Sequence, residues 1–201
     1  LKNQSSLLAD KQLLEPIQRL ADALDLEGIS VNIYEIEPVN GLAAPDGKIF
    51  ITRGFYNKFT SGDITENELA SVIAHELGHV ALGHSRRRMI DFSGQNALRM
   101  ALGTILSRII PGLGGIIANV LSNLLMARLS RADEFEADEY ASALMMKSGL
   151  GVEHQISMFE KLEKLSGNKA NLQPAWLLSH PKTTRRIEKI QENLSKWNTG
   201  Q

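Results

Sequence analysis

The sequence predicts a mostly α fold of the α+β kind: a single domain over 1–201, with a small antiparallel sheet near its N-terminal third and helices elsewhere. Three observations predict it. Apolar residues recur at helical spacing over 7–24 and 65–82, and from about 94 onward the pattern is helical almost throughout. Strand-like alternation of β-branched residues is confined to 29–54. The length of 201 residues fits one domain, with no solenoid-period repeat and no low-complexity stretch.

The elements follow in order. In 7–24, Leu7, Leu13, Leu14, Ile17, Leu20 and Leu24 form an amphipathic stripe, and Pro16 marks a kink or a fresh start. After Gly28, Ile29, Val31, Ile33 and Ile36 read as a strand, Pro38–Gly47 as turn-rich, and Lys48–Thr52 as a second strand that could pair antiparallel with the first. Thr65 is a helix N-cap and Glu68, three residues on, completes a capping box for the helix over 65–82. An apolar helical hairpin is expected over 94–129, a further helix over 131–147, and a loop followed by a C-terminal helix over 179–195.

Composition narrows the chemistry. Hydrophobic residues at 43% and charged residues at 22% are those of a globular chain, not a disordered one. Lys and Arg, 22 together, balance 23 Asp and Glu, so no overall field recruits nucleic acid or an anionic membrane. There is no cysteine, which excludes disulfides, thiolate nucleophiles and thiolate metal ligands. Any metal site must use His, Asp and Glu, and there are five His. Leu1–Leu14, carrying Lys2, Asp10 and Lys11, has no signal-peptide pattern, so no signal or anchor segment is read in this sequence.

His75-Glu76-Leu77-Gly78-His79 falls within the capped helix. Two His at i and i+4 stand one turn apart on one face, so both imidazoles can reach one ion, and Glu76, about 100° around from His75, can address a water on it. Two neutral nitrogen ligands and a neighbouring general base are what metal-assisted hydrolysis requires. His84 is a poor third ligand: the spacing of a three-His pattern places Gly and His at Leu82 and Ser85, and His84 points well away from His79 on a continuing helix. A carboxylate from another helix is then expected. In Ser130–Glu139, Glu134 and Asp138 share a face at i and i+4 while Glu136 lies opposite, so Glu134 suits a ligand and Asp138 can orient a ligating His through its far nitrogen. His154 reads as exposed and idle.

Together HELGHVALGH and, some fifty residues on, SRADEFEADEYA resemble the HtpX/CAAX-protease-type zinc metallopeptidases of peptidase family M48, nearest to the Oma/BepA/LoiP-like soluble branch. The resemblance implies a zincin-like metallopeptidase domain, one Zn²⁺ per chain held by His75, His79 and Glu134, Glu76 as catalytic base, and Asp138 supporting the metal-binding histidines. Residues 40–54 are similar to the family's segment before the metal-binding helix, departing at Gly41-Leu42 and Asp46; Asn40 and Ala43 are the substrate-binding candidates there, on a strand that could pair with an extended peptide. Leu178-Ser179-His180-Pro181, with Arg185-Arg186-Ile187, is similar to the family's ending. It implies that His180 either steadies the oxyanion or ligates the zinc and holds the enzyme shut, with Arg185 or Arg186 fixing the loop.

The resemblance further implies polypeptide substrates, namely misfolded or misassembled envelope proteins, and a bacterial periplasmic or envelope location. A latent zinc-site protein acting mainly as a chaperone or assembly factor is the alternative. Ile109–Ala127 carries no charge but is broken by Pro111, Gly112, Gly114 and Gly115. It reads as a buried or partner-facing hairpin, or as an element that touches a membrane, so 100–129 is a candidate contact for a membrane surface or a membrane-protein partner.

Overall fold

The computed structural model describes residues 4–44, 46–109, 113–166, 176–177, 180 and 184–198. Pro45, Pro111, Gly112, Leu178, Ser179 and Pro181, named above, lie outside the described residues. The elements are β1 (Ser5–Leu7), α1 (Lys11–Ala23), β2 (Val31–Tyr34), β3 (Gly41–Ala43), β4 (Ile49–Thr52), α2 (Arg53–Thr60), α3 (Glu66–Ala81), α4 (His84–Ile109), α5 (Gly114–Lys147), α6 (Glu153–Ser166) and α7 (Thr184–Asn198). They fall into two compact units, Leu1–Leu82 with Phe135–Gln201, and Gly83–Glu134.

In the first unit the sheet has the order β1-β2-β4-β3. The expected antiparallel pairing is corrected here: β2 and β4 run parallel, Val31 opposite Ile49 and Tyr34 opposite Thr52. The reason lies in the turn-rich segment. β3 returns antiparallel one place away, and a tight turn through Gly47, at φ +84, folds β4 back into the gap between them. All four residues of β4 are buried, and β3 is left as an edge. The core beneath combines Leu13, Leu20, Ile49, Ile51, Phe55 and Ile73, each essentially without exposure, with Met145, Met158 and Leu162 from α5 and α6. Pro16 does not restart α1; its ring is buried within one continuous helix.

The capping box of α3 is present, with the Glu68 backbone N–H donating to the Thr65 hydroxyl and the Thr65 backbone N–H donating to Glu68 Oε2. Glu68 also receives Ser157 Oγ and Lys161 Nζ from α6, so one carboxylate caps α3 and clasps α6 to it. Burial pushes its acidity toward the neutral form, but Lys161, Ser157 and the Thr65 amide outweigh that and hold the carboxyl below its ordinary range. A folded-state pKa below the unfolded value contributes stability that is complete above the unfolded value, about 4.3, and lost as pH falls through the folded one. Thermal melts of wild type and Glu68→Gln between neutral pH and pH 3 should therefore converge only at the acid end.

Gly78 allows α5 to approach. A Cβ there would stand 3.0 Å from the Ala137 carbonyl oxygen and 3.3 Å from Tyr140 Cβ. The third-ligand helix expected over 131–147 is the second half of one 34-residue helix, because neither Pro nor Gly interrupts the chain between Gly115 and Lys147. The second unit is an antiparallel hairpin of α4 and the start of α5, in which Gly103 faces Ala118, at 4.0 Å from a built Cβ, and Ala118 and Ser122 are buried. Helix α4 begins at His84, earlier than the boundary expected at 94.

Candidate active site

Helix α3 presents His75 and His79 one turn apart, with Glu76 next to His75, and all three are buried. Helix α5 brings Glu134 and, four residues on, Asp138. The boundary between the compact units falls just after Glu134, inside a helical turn that continues unbroken through Asp138. His180 comes from the segment before α7, its backbone N–H donating to the Trp176 carbonyl at 2.7 Å, and its side chain is also buried. His75, His79, Glu134 and His180 each offer a donor atom within 4.8 Å of the others, a group that could hold a metal ion.

The nitrogen spacings test that fit. His79 Nε2 lies 3.1 Å from His75 Nε2, and His75 Nε2 lies 3.3 Å from His180 Nδ1. Donors about 2.0–2.1 Å from a tetrahedral zinc ion stand roughly 3.3–3.4 Å apart, so the nitrogens already sit near the edge length of such a shell. Three imidazoles and a carboxylate, with no thiolate, form a donor set that suits zinc. The residues present fit the ion.

Asp138 holds the far side of His75: its Oδ1 lies 3.0 Å from His75 Nδ1. Arg186 grips the same carboxylate with two donors, Nε to Oδ2 at 2.6 Å and Nη2 to Oδ1 at 2.8 Å. This resolves the choice between Arg185 and Arg186; Arg186 is buried, beside the faces of Phe159 and Trp176. Burial disfavours the Asp138 anion, but Arg186 and then His75 more than offset it, and the carboxyl stays below the usual range. His75 is thereby fixed in ring orientation with Nε2 turned to the other donors.

Trp176 was not signalled by the sequence. Its Nε1 donates to Glu76 Oε1 at 3.2 Å, its ring stacks on His180 at 5.1 Å and meets His75 edge-on at 5.5 Å, and its backbone N–H donates to Val39 O just before β3. His180 Nε2 lies 3.4 Å from the same Glu76 oxygen. The indole and the imidazole thus cover the base and the donor group from one side. No spacing rule leads to Trp176; its position a few residues before His180 was the available clue.

Asn40 and Ala43 lie at the edge strand. The Asn40 amide donates to Thr52 Oγ1 and its carbonyl accepts from the Thr52 amide, while Ala43 pairs with Ile49. Neither belongs to the donor group. β3 does run close to the base, for a Cβ on Gly41 would stand 3.2 Å from Val72 Cγ1 and 3.8 Å from Glu76 Cγ. His84 stands apart from the donor group, 3.9 Å from Asp133, whose carboxylate also receives Arg87 at 3.1 Å. His154, expected to be exposed and idle, is partly buried and shares a hydrogen bond with Asn67 at 3.3 Å.

Known proteins resemble this chain over most of its length. The model of peptidase family M48 matches residues 8–194. Metalloprotease LoiP of Escherichia coli (strain K12) is 30% identical over 199 residues, covering 93% of this chain and 73% of that protein. The mitochondrial metalloendopeptidase OMA1 of Homo sapiens is 26% identical, with 82% of this chain matching only 33% of it. The crystal structure of S. mikatae Ste24p shares the fold at a TM-score of 0.59 and 21% identity, over 93% of this chain and 52% of that one. The chain belongs to peptidase family M48 and is a metalloendopeptidase.

Proposed function

We propose that this chain is a zinc-dependent endopeptidase whose ion is held by His75, His79 and Glu134. The single observation that carries the reading is the buried group of four donors within 4.8 Å of one another beside the carboxylate of Glu76, which is not one of them. Zinc bound there supplies Lewis-acid polarisation of the scissile carbonyl and acidifies a water.

The remaining work belongs to the protein. Glu76 takes the proton of the attacking water on a carboxylate oxygen as the water oxygen bonds to the carbonyl carbon, and gives a proton to the amine nitrogen as the C–N bond breaks. The Trp176 indole N–H, donating to Glu76 Oε1, orients that carboxylate. Asp138 and Arg186 keep His75 from rotating. Edge strand β3, with Asn40 and Ala43, is the place for an extended polypeptide to add by backbone hydrogen bonds.

His180 has one of two alternative duties in this reading. With Nδ1 at 3.3 Å from His75 Nε2 it stands among the donors, which favours a closed state in which substrate access waits on its withdrawal. The alternative duty is that its imidazole steadies the oxyanion. His180→Ala should retain zinc and cleave unfolded casein faster than wild type. A fall of about 10²–10³ instead would assign His180 to the oxyanion alone.

The resemblance to the Oma/BepA/LoiP-like branch supports misfolded or misassembled envelope proteins as substrates and a periplasmic or envelope location. The covered donor group also favours a second reading, a latent site in a chaperone or assembly factor. A Glu76→Gln chain that still suppresses aggregation of unfolded envelope proteins as well as wild type would favour that reading.

A further inference from the structure

Between α3 and α6, beside the donor group, the structure keeps a cleft. It encloses about 210 Å³ of empty space, mouth included, and its inner part, about 10 Å³, has room for roughly one water. Its walls are Val72 and His75 of α3, Met158 and Phe159 of α6, and Trp176. Ser71, Gln155 and Asp138 also reach it, but they spend their hydrogen bonds inside the protein. Ser71 Oγ donates to the Glu68 carbonyl at 2.7 Å. Gln155 Oε1 accepts from Ser142 Oγ at 2.7 Å and its Nε2 donates to the Asp138 carbonyl at 3.3 Å. The Asp138 carboxylate is held by His75 and Arg186. What remains for an occupant is apolar wall, and a charged side chain placed there would lose its water without gaining a partner.

The cleft adjoins the reacting groups. Val72 stands four residues before Glu76, on the same face of α3. Edge strand β3 runs over both, for a Cβ on Gly41 would lie 3.2 Å from Val72 Cγ1 and 3.8 Å from Glu76 Oε1. Trp176 closes the other side, its indole donating to Glu76 Oε1 at 3.2 Å and its ring 5.6 Å from that of Phe159. Successive side chains of an extended peptide point to opposite faces, so of the two residues flanking the scissile bond only one turns toward α6.

We propose that this cleft seats the side chain of the residue that supplies the leaving amine, and that it selects a small apolar one, alanine to valine. The assignment rests on the zinc-endopeptidase reading and adds the sequence preference of that site. Glu76 gives the amine its proton, so the residue bearing the amine lies on the Glu76 side of the bond, where the cleft opens. The inner room admits a methyl-sized group, whereas an aromatic ring would have to push apart Phe159 and Trp176. Met158, only 2% exposed and unbranched, is the wall whose length sets the depth. One methylene too many or too few in such a pocket changes a rate by about 10–200-fold.

The test is the sequence of the cut sites. The zinc-loaded whole chain is incubated with unfolded casein, and with peptides that differ only in the residue after the cut bond (Gly, Ala, Val, Leu, Phe or Asp). Mass spectrometry identifies the fragments. Wild type should favour Ala and Val at that position, with kcat/KM at least about tenfold above Phe and Asp. Met158→Ala should raise Leu and Phe relative to Ala by about tenfold or more. Val72→Ala, on the facing wall, should shift the preference in the same direction. Circular dichroism and zinc content confirm that each variant is folded and loaded, and the wild-type profile needs no variant. Cuts spread evenly over residue types, a wild-type preference for Phe, or a preference unmoved by both variants overturns the proposal and leaves the peptidase reading standing. Zinc-loaded wild type that cuts no bond overturns both.

Discussion

Replacement of Glu76 by Gln is expected to leave the protein folded and metal-loaded while lowering casein cleavage by about 10²–10⁴ in kcat. The amide keeps the size of the carboxylate and can still accept from the Trp176 indole at the Oε1 position, so packing changes little. It removes a carboxylate beside the donor cluster that can accept a proton from water without itself belonging to that cluster. Loss of zinc with the activity would instead make Glu76 a structural support of the metal site. Unchanged activity would require another base.

Asp138→Asn carries the second large effect, this time on stability and metal affinity together. Arg186 is among the most deeply buried side chains, and its Nε and Nη2 both end on Asp138. Neutralising the carboxylate removes a counter-charge from a buried guanidinium, a change that costs about 3–5 kcal/mol. For a chain of this length that lowers the melting temperature by roughly 10–15 °C. The same substitution weakens the hold on His75 Nδ1, and zinc affinity should fall about 10–100-fold. A double variant, Asp138→Asn with Arg186→Met, separates the two consequences. Removing the guanidinium as well should recover much of the melting temperature and none of the metal affinity. A single variant that melts like wild type would contradict the assigned role.

Local signals were readable in the sequence and long-range ones were not. The start of α3 was legible because a capping box is a contact between residues three apart, Thr65 and Glu68. The pairing of Glu134 with Asp138 was legible because both lie on one face of one helix, and the structure places Asp138 against His75. The choice of Arg186 over Arg185 was not, since neighbours on a helix differ by about 100° and only the packing of α7 decides which turns inward. Trp176 was invisible for a similar reason: its partner Glu76 is 100 residues away. The sheet's direction escaped because β1 and β3 are three residues each, too short for an alternation to register, and β3 sets the parallel pairing of β2 with β4. The continuity of α5 could have been read from its lack of Pro and Gly, had the acidic cluster not suggested a fresh start.

The most direct measurement is zinc content by elemental analysis of the purified, dialysed chain beside His75→Ala and Glu134→Ala, each after zinc has been supplied. The account predicts one zinc per wild-type chain and a loss of stoichiometric zinc in both variants, with casein cleavage lost in parallel. Wild type without zinc after reconstitution, or Glu134→Ala retaining it undiminished, would contradict the assignment of His75, His79 and Glu134 as the metal site.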